Sequence, residues 1–187
     1  MSISLRRLDQ KKSQASFYSY DAVAILFFGE VSPDPLPAPS PGEVVIRVGA
    51  WSLADLRACE TVVMYNFMRV QDWYYKYPWS RAKLVPGVYR VRLPVPESNC
   101  KNFAGQKNLL LPGEEVTPVA LAATVLLCHL KQAAGKDLLE SNWTRCAEVL
   151  PDGLRVALDI YEGRVSVGRL HDGLPREFVR MSAARKC

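Results

Sequence analysis

The stretch Thr117 to Ala134, TPVALAATVLLCHLKQAA, decides how the rest of the chain must be arranged. Thr117 is an N-cap residue type, Pro118 sits where its missing N–H costs nothing, and Gly135 is placed to close the C-terminus in the left-handed conformation. Val116 and Leu121 have the spacing of a hydrophobic staple. Between Val119 and Leu130 only Thr124 and His129 carry polar side-chain atoms, so apolar surface runs almost the whole way round. A helix of that kind has to be enclosed by other elements. A membrane span needs about 20 apolar residues, and this run ends at Lys131. The spacing predicts a buried central helix and no membrane partner.

The elements that would enclose it are read outward. Upstream, Ser52 with Asp55 three residues on has the form of a capping box. Leu56, Cys59, Val63, Phe67, Val70 and Tyr74 follow at three- and four-residue steps, predicting an amphipathic helix of about five to six turns that stops near Pro78, because the residue before a proline leaves the α region. Before it, Glu43 to Trp51 alternates with Val44, Ile46 and Val48 on one side, as a strand with one buried face does. After it, Val88 to Val95 alternates too, but Pro94 and Pro96 make it an edge strand or cut it short. Asn102 to Leu111 is read as a short helix. Downstream, Trp143 to Val149, Leu154 to Tyr161 and Arg164 to Leu170 are separated by Pro151-Asp152-Gly153 and Glu162-Gly163, turn chemistries that favour antiparallel connections. These predict a C-terminal β-meander, with Phe178 to Ala184 as a fourth strand.

The N-terminal part reads differently. Residues 1–16 are polar and basic, anchored only by Ile3, Leu5 and Leu8, and Phe17 to Gly29 fits a buried strand. Prolines at 33, 35, 37, 39 and 41 forbid a ladder and favour an extended connector. The expected division is an arm and strand over 1–32, a connector over 33–42 and an α+β domain over 43–187. The fold class is α+β: a buried central helix and an amphipathic helix packed with antiparallel sheet.

At 187 residues the chain can bury a sizeable core without a metal or disulfide staple. Its five cysteines are widely spaced, odd in number and lack a CxxC pair, which points to free thiols in the cytoplasm. The net charge of +5 is not evenly spread. Residues 69–92 hold Arg69, Lys76, Arg81, Lys83, Arg90 and Arg92 against Asp72 alone, which accounts for the whole excess. Trp73, Tyr74, Tyr75, Tyr77, Trp79 and Tyr89 interleave with these cations. Aromatic faces stack on bases and cations follow phosphates, so Arg69, Trp73, Tyr77, Trp79, Arg81, Lys83, Arg90 and Arg92 form the candidate partner or nucleic-acid site. The competing and preferred reading has half of these rings packing inward.

Other chemistry is thinly supported. Cys128 and His129 are adjacent on a helix, about 100° apart, and so do not pair with each other. Cys100 meeting His129 or His171 is the minimum for a thiol hydrolase, with no local signature behind it. The two histidines and scattered thiols have no metal-site spacing, and the acids of the meander, Asp152, Asp159, Glu162 and Asp172, are read as solvated. Neither GxGxxG nor GxxxxGK[ST] occurs. The sequence assigns no catalytic residue, metal or cofactor. The expected function is non-catalytic binding of another protein. Nucleic-acid binding through 69–92 comes second and a cysteine-dependent hydrolase third.

Overall fold

The computed structural model describes residues 18–27, 34–69, 71–132, 138–139, 142–173 and 175–187. The elements are β1 (Tyr18–Asp21), β2 (Val44–Val48), α1 (Leu53–Ala58), α2 (Glu60–Met64), β3 (Gly87–Arg92), α3 (Phe103–Lys107), β4 (Glu115–Val116), α4 (Val119–Gln132), β5 (Trp143–Val149), β6 (Arg155–Tyr161), β7 (Arg164–Leu170), β8 (Val179–Met181) and β9 (Ala183–Lys186). The fold is α+β, with a five-stranded sheet in the order β1-β2-β3-β9-β4 and a four-stranded sheet in the order β7-β6-β5-β8. Among the described residues no helix is long and apolar enough to cross a membrane.

Helix α4 is the centre of the core. Every residue from Val119 to Leu130 is buried, and the helix packs on β2 of one sheet and on β5, β6 and β7 of the other. Its two polar side chains each hydrogen-bond an aromatic residue across the core. Thr124 Oγ1 donates to Ala120 O and accepts from Trp51 Nε1 at 3.0 Å, and His129 Nδ1 lies 2.9 Å from Tyr20 Oη. Burial pushes the Tyr20 phenol upward.

The helix begins one residue later than expected. Pro118 O accepts the first turn's bond from Ala122 N, and Thr117 is instead held in extended backbone, its N–H donating to Ser182 O and its C=O accepting from Ala147 N. Thr117 Oγ1 has no partner among the described residues, so it is not the cap. The cap comes from another element: both oxygens of Glu148 on β5 lie 2.9 Å from Val119 N. Gly135 lies outside the described residues, as do the arm over 1–16, Phe17, Phe28, Gly29 and Val70.

The meander is as read, with β5, β6 and β7 antiparallel in sequence order. Glu162 and Gly163 both have positive φ, 52° and 72°, the two-residue geometry whose twist matches a hairpin. The fourth strand is divided at Ser182: β8 pairs parallel with β5, while β9 pairs with β3 and β4 in the other sheet. Ser182 clamps the crossing by donating its N–H to Arg145 O and accepting from Thr117 N. Asp159 is buried rather than solvated, and Asp172 holds Arg155 through two bonds of 2.8 and 2.9 Å.

Three other expectations need correction. The long amphipathic helix over 52–77 is absent. The Ser52–Asp55 capping box does start α1, but the chain turns extended at Cys59 (ψ 129°), and α2 stops before Asn66, whose φ is 52°. Asn tolerates that left-handed region and Thr61, Val62 and Val63 are weak helix formers. The buried stripe also shifts by one, with Val62 inside and Val63 exposed. Beyond, Trp73–Lys76 and Pro78–Arg81 are single 3₁₀ turns. Residues 17–29 are not one strand, since β1 gives way to a π-helical turn over Val23–Phe27. Strand β2 buries Val45 and later Trp51 along with its other face, and β3 is cut short before Pro94, as one of the two expected outcomes had it, but is an interior strand between β2 and β9 rather than an edge.

Candidate binding cleft

The candidate residues of 69–92 do not share one surface. Arg90 is spent on Glu43, which also takes Arg185, with bonds of 2.9 and 2.8 Å. Burial alone would raise the Glu43 carboxyl, but bonds from Arg90 and Ser40 and the charge of Arg185 hold it below the usual range. Arg92 donates Nε to Glu114 Oε1 at 2.8 Å and Nη2 to Leu109 O at 2.9 Å, and its guanidinium is largely buried. Glu43 and Glu114 lie outside the aromatic stretch or on its far side in sequence, so a local charge excess in the sequence is not a local excess in space. Arg69 sits over the Tyr161 ring at 4.8 Å.

Trp73, Tyr77 and Trp79 pack together and against the core. Their centroids are 5.9 to 6.2 Å apart, with Tyr77 and Trp79 stacked and Trp73 edge-on to both. Arg169 covers Trp73 at 5.9 Å. The rings therefore use their faces on one another, which supports the inward reading over a ladder of free stacking platforms. Tyr75, Lys76, Tyr77 and Arg81 line only an open dish of about 420 Å³.

Trp79 and Lys83 instead take part in a cleft of about 640 Å³ that the sequence did not reveal. It opens where the five-stranded sheet and α4 diverge. Strand β9 brings Ala184, Arg185 and Lys186, β4 brings Glu115 and Val116, and the start of α4 brings Ala120 and Leu121, with Leu84, Val85 and Tyr89 closing the far side. Leu84 N donates to Trp51 O at 2.9 Å and Tyr89 Oη to Val85 O at 2.8 Å, so this wall is tied at two points. Register explains why Ala184 and Lys186 lie on one face of the sheet: Val91, Ala184 and Glu115 are cross-strand neighbours, as are Tyr89 and Lys186, and Val91 is buried on that face. A small residue at 184 leaves the space open.

The charges around the cleft divide into engaged and available ones. Glu148 is committed to Val119 N, and burial raises its carboxyl above the usual range despite that bond. Arg185 is committed to Glu43. Among the described residues Lys83, Lys186 and Glu115 form no ion pair, and all three are exposed. The floor of Leu84, Leu121 and Ala184 is apolar, and Val85 at its margin is 61% exposed. Glu148 and β9 were missed because their roles depend on contacts 29 or more positions away, and no local pattern marks them.

The thiols are apart from this site. Cys59, Cys128 and Cys146 are buried, with Cys59 Sγ 2.9 Å from Leu26 O, and burial raises Cys128 and Cys146 far above the ordinary thiol range. Cys100 is exposed and His129 is engaged with Tyr20. Among the described residues no three His, Cys, Asp or Glu side chains are placed to hold a metal ion. Compared with known proteins, the chain matches no family model, no curated protein and no solved structure.

Proposed function

We propose that this protein acts without catalysis, as a cytoplasmic accessory protein that binds another protein through the cleft between β9 and the start of α4. One observation carries the reading: an apolar-floored cleft of about 640 Å³ with the exposed Val85 in its wall. Pockets of this size suit inserted apolar groups, and exposed apolar surface is what a larger partner covers. The free thiols fit a reducing compartment. Nucleic-acid binding through 69–92 is the weaker reading, because Arg90 and Arg92 are neutralised and the ring faces are in mutual contact.

The test is site-specific photocrosslinking in extract of the native host. A photoreactive residue at Val85 is expected to trap a discrete protein species that the same residue at Glu162, on the β6–β7 turn, does not trap. Filling the cleft with Ala184→Leu should abolish the adduct in a variant shown by thermal melting to be folded. Equal labelling at both positions would defeat the reading.

A further inference from the structure

We propose that the cleft receives a partner segment in which a large apolar side chain stands within two residues of an aspartate or glutamate. The apolar side chain enters between β9 and α4, and the carboxylate meets Lys83 and Lys186 at the mouth. This rests on the reading of the cleft as a protein-binding site.

The chemistry of the walls selects the inserted group. Leu84, Leu121 and Ala184 offer no hydrogen-bonding side-chain atom, so the floor they form favours an apolar group. The charges select what stands beside it. Two of the five ionic side chains at the cleft are already used, Glu148 by the amide of Val119 and Arg185 by Glu43, which leaves two lysines and the carboxylate of Glu115. Lys83 also lowers the Asp55 carboxyl, but Asp55 is first held by the N–H and hydroxyl of Ser52, at 2.8 Å each, so that carboxylate is not free to leave for the lysine. A ligand carboxylate thus gains two cations against one anion. That complementarity acts on selectivity and on encounter rate.

Extent distinguishes a polypeptide from a small amphiphile. Val85 lines the cleft and is nevertheless 61% exposed, so apolar surface extends to the mouth. A ligand confined to the cleft would leave it in water, whereas a chain entering and leaving the cleft covers it.

The experiment is a selection of random 12-residue peptides displayed on phage against the full chain, with Ala184→Leu as the counter-selecting target. Enriched peptides are expected to pair Leu, Ile, Phe or Trp with Asp or Glu at the stated spacing. Synthetic versions should bind Lys83→Glu/Lys186→Glu at least about tenfold more weakly than wild type, and replacing their acids with lysine should restore binding to that double variant. Cleft-dependent peptides without acidic enrichment would overturn this inference and leave the protein-binding reading intact. If no cleft-dependent peptide is recovered, while dodecanoate binds wild type and not Ala184→Leu, both fall and a small amphipathic carboxylate takes their place.

Discussion

Replacing Glu148 tests how the central helix is held. Its carboxylate reaches Val119 N with both oxygens at 2.9 Å, and among the helix's first amides this bond comes from a strand 29 residues away. Glu148→Ala leaves Val119 N–H without its acceptor. An unsatisfied buried amide costs about 1–3 kcal/mol, and loss of a carboxylate from a helix N-terminus adds roughly 0.3–1 kcal/mol. Relief of the charge's own burial offsets part of this, so a net loss of about 1–3 kcal/mol is expected at pH 7, or a melting temperature lower by roughly 2–12 °C for a chain of this size. Glu148→Gln keeps an oxygen for Val119 and gives up only the charge, so it should lie within about 1 kcal/mol of wild type.

The pH dependence of this pair carries a definite sign. The folded carboxyl is raised above its unfolded value of 4.5 chiefly by burial, so between the two values the folded state binds more protons. Its favourable contribution is therefore complete below the unfolded value and is lost as pH rises through the folded one. Wild type measured against Glu148→Gln should lose relative stability as pH increases from 4 toward neutrality. Urea titrations of both proteins across that range provide the assay. A wild-type advantage that grows with pH would show that the Val119 bond outweighs burial at this carboxyl, and a Glu148→Ala variant as stable as wild type would refute the capping account.

Leu126 and Leu127 are both fully buried in α4, and alanine at either should cost about 2–5 kcal/mol in urea unfolding. Arg92→Ala should destabilise the fold by about 3 kcal/mol by stranding the buried Glu114 carboxylate, with no selective loss of any nucleic-acid affinity; a stable variant would return Arg92 to the surface. With a thiol reagent in the native state, Cys100 and Cys187 should label at once and Cys59, Cys128 and Cys146 only on opening of the fold. A buried thiol reacting faster than a free one near neutral pH would reopen the hydrolase reading. Binding of single-stranded RNA or DNA should be weak and should vanish at physiological salt, and Arg81→Ala/Lys83→Ala should reduce it without exposing a tight component.

The elements legible in the sequence are those whose stabilising pattern is local and repeated. α4 carries apolar residues on every side, and the three meander strands alternate between turns that only certain residues form, Glu162-Gly163 above all. The stretch from 52 to 77 has helical spacing too, but spacing does not register that Asn66 takes a left-handed conformation or that Cys59 turns its thiol to Leu26 O. β9 was hidden because Phe178 to Ala184 reads as one strand, while Ser182 carries the chain from one sheet into the other. The surroundings of the basic segment were illegible for a related reason. Arg90 and Arg92 are cations in a basic segment by sequence, and in the fold they are halves of ion pairs with acids 47 and 22 positions away. Lys83 and Trp79 stand in the same segment, yet what gathers them is the gap between α4 and β9, which is tertiary from the outset.

The most direct measurement is affinity capture from extract of the native host with wild type and Ala184→Leu, each in nuclease-treated and untreated arms. A protein species retained on wild type after nuclease treatment at physiological salt, and absent from Ala184→Leu, is the expected result. Capture that disappears with nuclease, or that is unchanged when the cleft is filled, would contradict the account.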